Sequence, residues 1–133
     1  MNKKIISIAI VFVMLFGFAS AVSAYSYSGH RTAGSTAYTT SQTKTNGAGT
    51  YGCRLFSIDS GTFTGGNYVN MRIRRTSDNA KAGDMASFSS TVPYYYYYNY
   101  WYGFGDPRQY KLAVDDNFNR SFDFTVYWTP DGI

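Results

Sequence analysis

The sequence predicts an all-β fold, an antiparallel β-sandwich of about seven short strands. Three observations carry this. Where apolar residues show a pattern, they recur at a spacing of two, the period of a strand and not that of a helix. Clusters of Gly, Asp, Asn, Ser and Pro punctuate the chain between those runs and mark tight turns. All eight acidic residues are aspartate, and glutamate, a good helix former, is absent. Strands with one apolar face each bury it between two packed sheets; a small β-barrel is the alternative.

Residues 1–24 read as a secretory signal peptide. Met1-Asn2-Lys3-Lys4 supplies positive charge, Ile5 to Phe18 is almost wholly apolar, and Ala-Ser-Ala-Val-Ser-Ala (19–24) follows. A basic start, a short apolar run and small residues at the cut define a cleaved export signal. Cleavage is expected after Ala24, with Ala21 as second choice, leaving 25–133 as one β-sandwich domain. The run is shorter than the roughly twenty residues of a spanning helix. No later segment is apolar enough to span, so no transmembrane segment is expected after cleavage. The expected location is secreted, extracellular or associated with the cell wall.

Without Lys3 and Lys4, ten basic side chains face eight acidic ones, a formal +2. That balance is too mild for nucleic acid, whose binding rests on neutralising many phosphates. Cys53 is the single cysteine, so no intramolecular disulfide framework exists. It reads as a small buried apolar residue, with an intermolecular disulfide as the other reading.

The strands follow in order. Residues 25–50, rich in Ser, Thr, Gly and Tyr, read mainly as loop, with one edge strand near 35–40. Strands are expected near 51–58 and 67–75; in the second, Val69, Met71 and Ile73 point inward, and Arg72 and Arg74 outward. A fainter strand covers 84–92, and an aromatic one 94–102. In 109–115, Tyr110, Leu112 and Val114 share a face; in 120–128, Phe122, Phe124, Val126 and Trp128 do. The short "DDNFN" between these last two predicts that they pair as an antiparallel hairpin.

The segment "PYYYYYNYWYG" (93–103) places aromatics on both faces of a strand. Tyr94, Tyr96, Tyr98, Tyr100, Tyr102 and Phe104 share one face; Tyr95, Tyr97, Asn99 and Trp101 share the other. Asn99 assigns the odd face outward, which sets Tyr95, Tyr97 and Trp101 in a row about 6.7 Å apart. Three readings compete. Such rings pair across strands and fill cores. They also stack on sugars and anchor protein partners. An uncharged β-prone stretch at an edge also favours self-association through 94–102.

Catalytic signals are sparse. His30, the one histidine, lies in a Ser/Gly-rich start, so a Ser–His–Asp site has little support. No aspartate pair stands out by spacing as a glycosidase dyad; Asp59, Asp78, Asp84, Asp106 and Asp131 fall in predicted turns, and Asp123 faces outward on a strand. "DDNFNRSFD" sets Asp115, Asn117 and Asn119 at calcium-loop positions, but Arg120 and Val126 replace the required glycine and glutamate. A turn is therefore expected there. No catalytic residue, metal or cofactor is expected. Arg72 and Arg74, with Arg54 placed near them, form either a solvated edge or a contact for anionic polymers or lipid headgroups.

The leader, the "YVNMRIR" strand and the closing "YKLAV…FDFTVYWTP" strands resemble small exported β-sandwich proteins of Gram-positive bacteria, most of unknown function. A similarity to lactococcin-type β-sandwich bacteriocins would imply an attack on cell-wall synthesis. The expected function is non-enzymatic binding of a cell-envelope component, such as a cell-wall glycan or a surface protein, or of another extracellular partner. Tyr95, Tyr97 and Trp101 would stack on the ligand while Arg72 and Arg74 supply charge. A bacteriocin-like antibacterial protein is the alternative.

Overall fold

A computed structural model describes residues 24–58, 67–101 and 108–132. The expected leader therefore lies outside the described residues, apart from Ala24, as do Asp59, Asp106, and Tyr102 and Phe104 of the aromatic ribbon. The described chain is all-β and forms two antiparallel sheets packed face to face. The sandwich is thus correct, and the sheets do not close into a barrel. No helix among the described residues is long and apolar enough to cross a membrane.

The strands are β1 (Tyr25–Arg31), β2 (Ala37–Tyr38), β3 (Gln42–Thr43), β4 (Thr50–Ile58), β5 (Val69–Arg75), β6 (Lys81–Phe88), β7 (Tyr96–Asn99), β8 (Gln109–Asp116) and β9 (Phe122–Thr129). The first sheet has the order β1-β9-β4-β7; the second has β2-β8-β5-β6, with β3 also on β8. Alternation selects the buried faces. Tyr51, Cys53, Leu55, Phe124, Val126 and Trp128 of the first sheet meet Val69, Met71, Ile73, Leu112 and Val114 of the second, all within 3% of full burial. Each such aliphatic or aromatic side chain removed from water is worth about 1.5–3 kcal/mol. The Cys53 thiol lies within this core, and burial pushes its pKa up, so it is out of reach of a second chain.

Two expectations fail here. Residues 25–31 form a strand paired with β9 over its whole length, from Tyr25 opposite Trp128 to Arg31 opposite Phe122. The Tyr-Ser-Tyr-Ser start hides this because only its tyrosine rings carry the apolar face. Strands β8 and β9 do not form a hairpin: β8 pairs with β5 and β9 with β4, so the short link between them crosses from one sheet to the other.

Arg31 braces that crossing. Its side chain is 4% exposed, and its guanidinium reaches the link from every side. Nη1 donates to Asp116 Oδ1 at 2.9 Å and to the Arg120 carbonyl at 2.7 Å. Nη2 donates to Asp115 Oδ1 and, at 3.2 Å, to Asn119 Oδ1; Nε donates to the Ser35 carbonyl at 2.9 Å. Asp116, fully buried, also accepts from Arg120 Nε at 2.8 Å. Asn119 supplies the left-handed residue of the bend, φ 54°, a conformation asparagine tolerates better than most residues. The stretch that invited a calcium reading does gather Asp115 and Asn119 around a cation, and the cation is Arg31. Asn117 turns away to accept from the Tyr68 amide at 2.8 Å.

The chain beyond β9 is held by a second polar cluster. Asp131 accepts from the Thr45 amide (2.8 Å), the Thr45 hydroxyl (2.6 Å) and the Asn46 amide (3.0 Å). Lys44, 1% exposed, donates to the Pro130 carbonyl at 3.1 Å and lies 4.9 Å above the Tyr100 ring. Burial by itself raises the Asp131 pKa, but the Thr45 and Asn46 hydrogen bonds and the Lys44 charge outweigh it and hold the carboxyl below its usual value. A folded pKa below the unfolded one stabilises the fold above the unfolded value, and that contribution is lost as pH falls through the folded one. Acid titration from pH 5 downward is therefore expected to lower the unfolding midpoint. Asp131→Asn should flatten that fall below about pH 4, because the titrating group is gone. An unchanged slope would remove Asp131 from this role.

Candidate functional site

Strand β7 positions the aromatic ribbon. It pairs with β4, placing Tyr96 opposite Cys53, Tyr97 opposite Gly52 and Tyr98 opposite Tyr51. Tyr98 points inward, 5.7 Å from Tyr51 between ring centroids, and Tyr100 follows it at 5.8 Å. Burial pushes the Tyr98 hydroxyl pKa up to about 12. The even face is thus inward at Tyr98 and Tyr100, as expected. Tyr94 and Tyr96, near the start of the segment, stay 68% and 47% exposed.

The odd face is outward throughout, but it does not form one row. At Tyr100 the chain leaves the first sheet and bridges to Gly83 of β6 in the second. The Tyr100 amide still donates to the Gly49 carbonyl at 2.9 Å, while the Trp101 amide donates to Ala82 at 3.0 Å. Tyr95 and Tyr97 lie on the outer face of the first sheet, 6.5 Å apart. Trp101 lies against the second: its indole N–H donates to Asp84 Oδ1 at 2.7 Å, and Arg72 sits 5.2 Å over its ring.

The five expected binding residues therefore separate into two groups, Tyr95 with Tyr97, and Trp101 with Arg72 and Arg74. Arg54, expected near Arg72, belongs to the first group because β4 is a strand of the first sheet. Its guanidinium stands 4.6 Å over Tyr127, 5.4 Å over Phe56 and 5.8 Å over Tyr95. Phe56 and Tyr127 meet edge to face at 5.1 Å. A β-bulge between Leu55 and Ser57 shifts the register of β4 against β9 and leaves both Phe56 and Ser57 exposed. Gly52 provides the floor: a Cβ there would meet the Tyr97 ring at 2.9 Å, so the ring lies directly on backbone. Burial raises the Tyr95 hydroxyl pKa and the Arg54 charge opposes it. Chemically, this face offers several ring surfaces around one fixed positive charge.

Asp84, expected in a turn, lies in β6. Asp123 pairs with His30, at 2.5 Å from Nδ1 to Oδ1. His30 is thus held on a strand beside an aspartate, with both side chains more than half exposed. The nearby Ser28 hydroxyl is shared with Thr125 Oγ1 at 2.8 Å. A comparison with protein-family models finds no match, and a comparison with curated protein sequences finds none either.

Proposed function

We propose that this is an exported, non-enzymatic protein that binds a glycan of the cell envelope through the outer face of its first sheet. The observation that carries the reading is the gathering of Phe56, Tyr95 and Tyr127 around Arg54, with Tyr97 beside Tyr95. Phe56 is 49% exposed. Rings held flat on a sheet lose little rotamer freedom on binding, and their faces meet the C–H faces of sugars without a matching hydrogen-bond code. Arg54 adds attraction for a carboxylate or hydroxyl oxygen at the edge of a sugar.

Retention of the pure protein on purified cell wall tests this. Phe56→Ala combined with Tyr97→Ala is expected to weaken retention at least about tenfold, the loss typical of removing central aromatic anchors. Trp101→Ala, on the other sheet, should leave glycan retention unchanged. Wild-type retention by the double variant would overturn the reading.

A further inference from the structure

The outer face of the second sheet collects four cations that are not ion-paired among the described residues. Arg74 of β5 stands opposite Lys81 of β6 on one side and Lys111 of β8 on the other. Arg72 lies one step along the same strand face. Among the described residues none of these four takes part in an ion pair. The Nε atoms of Arg72 and Arg74 are buried and have no hydrogen-bond acceptor. The carboxylates at the border are already engaged: Asp115 and Asp116 by Arg31, and Asp84 by the Trp101 indole. Like charges at neighbouring cross-strand positions repel. The fold tolerates them by laying Arg72 on the Trp101 ring and Lys111 over Tyr38 at 4.2 Å. A depression of about 190 Å³ opens between Arg72, Arg74, Lys81 and Met85, with the Arg31-paired Asp115 and Asp116 on its far wall.

We propose that this face is a second binding site, separate from the aromatic one, for a linear phosphate-bearing polymer. Two guanidinium groups beside one hollow suit the tetrahedral oxygens of a phosphate, which arginine grips with paired N–H bonds. The row Lys81–Arg74–Lys111 crosses three adjacent strands and so spans about 10 Å. That is wider than one phosphate, so a chain of phosphates satisfies the row and a single ion does not. The arginines are recessed and not prominent, which favours a flexible chain over a flat bilayer surface.

Binding of inorganic polyphosphate to the folded protein, followed by tryptophan emission and by salt titration, tests this. Trp101 beside Arg72 is the reporter, since Trp128 is fully buried. Polyphosphate is expected to bind with an affinity that falls steeply with salt, and orthophosphate at equal phosphate concentration to bind far more weakly. Arg72→Gln with Arg74→Gln should cut the affinity at least about tenfold and flatten the salt dependence by about one to two in log–log slope. Lys81→Gln with Lys111→Gln, on exposed or half-exposed side chains, should do the same to a lesser degree without touching the hollow's arginines. The Phe56→Ala, Tyr97→Ala variant should bind polyphosphate normally, which separates this site from the glycan reading. Unaltered affinity in both charge-removing variants would overturn the proposal. So would equal binding of orthophosphate, or binding to phosphatidylglycerol vesicles with none to polyphosphate.

Discussion

Replacing Arg31 by alanine is expected to destabilise the protein by about 3–5 kcal/mol, the range seen when one member of a buried ion pair is removed. Arg31 makes five donor contacts and is almost fully enclosed. Its loss leaves the enclosed Asp116 with Arg120 alone and frees Asp115 and Asn119 from their shared partner. It also unties the end of β1 from the link that carries the chain between sheets. Arg31→Lys keeps the charge but not the planar fork, so it should recover little of the loss. Urea unfolding of the three proteins measures the difference through the shift in midpoint at constant slope. A loss under about 1 kcal/mol, the scale of an exposed pair, would show that the cluster is solvated in solution.

Gly83→Ala is expected to cost about 1–3 kcal/mol, as overpacking does in a tight interior. An added Cβ would lie 2.6 Å from the Asn99 carbonyl oxygen, 2.9 Å from Ile73 Cγ2 and 3.1 Å from Tyr51 Cε1. The first contact is backbone and cannot swing aside, so β6 and the end of β7 must part. This is the point where the aromatic segment passes from one sheet to the other, so Trp101 should shift from Arg72 and Asp84. Its emission is expected to change along with the unfolding midpoint. Gly47→Ala, where an added Cβ meets nothing within 4 Å, serves as the neutral control. Equal stability of the two variants would show that the seam opens without cost.

Strands β4, β5, β8 and β9 were legible because each repeats apolar residues at every second position. Strand β6 was expected over 84–92 and lies at Lys81–Phe88, because Ala82 and Gly83 face inward with almost no side chain to announce it. Strand β1 was missed for a related reason, since Gly29 and Arg31 share the face of Tyr25 and Tyr27 and leave it only two rings. The supposed hairpin failed because a short link serves a hairpin and a crossing between sheets equally well. The crossing is braced by Arg31, distant in sequence from the link.

At the candidate site, alternation correctly turned Tyr95, Tyr97 and Trp101 outward and Tyr98 and Tyr100 inward. It could not show that the strand bends around an edge, which depends on the pairing of Tyr100 with Gly83. Arg54, Phe56 and Tyr127 escaped notice as a group because they come from two distant places in the chain, β4 and β9. Only the neighbouring positions of β4 and β9 bring them together. A signal was present in "CRLFSI", where Phe56 breaks the alternation at the bulge.

The first strand and the last are neighbours: β9 is the middle partner of β1 and β4. Until residues 122–129 have emerged, the opening strand has no mate and half the sandwich lacks its centre. The cost of closing so long a loop falls before any of those bonds form. The first sheet of a growing chain thus stays open and latches only when β9 arrives, whereas β5, β6 and β8 pair without it.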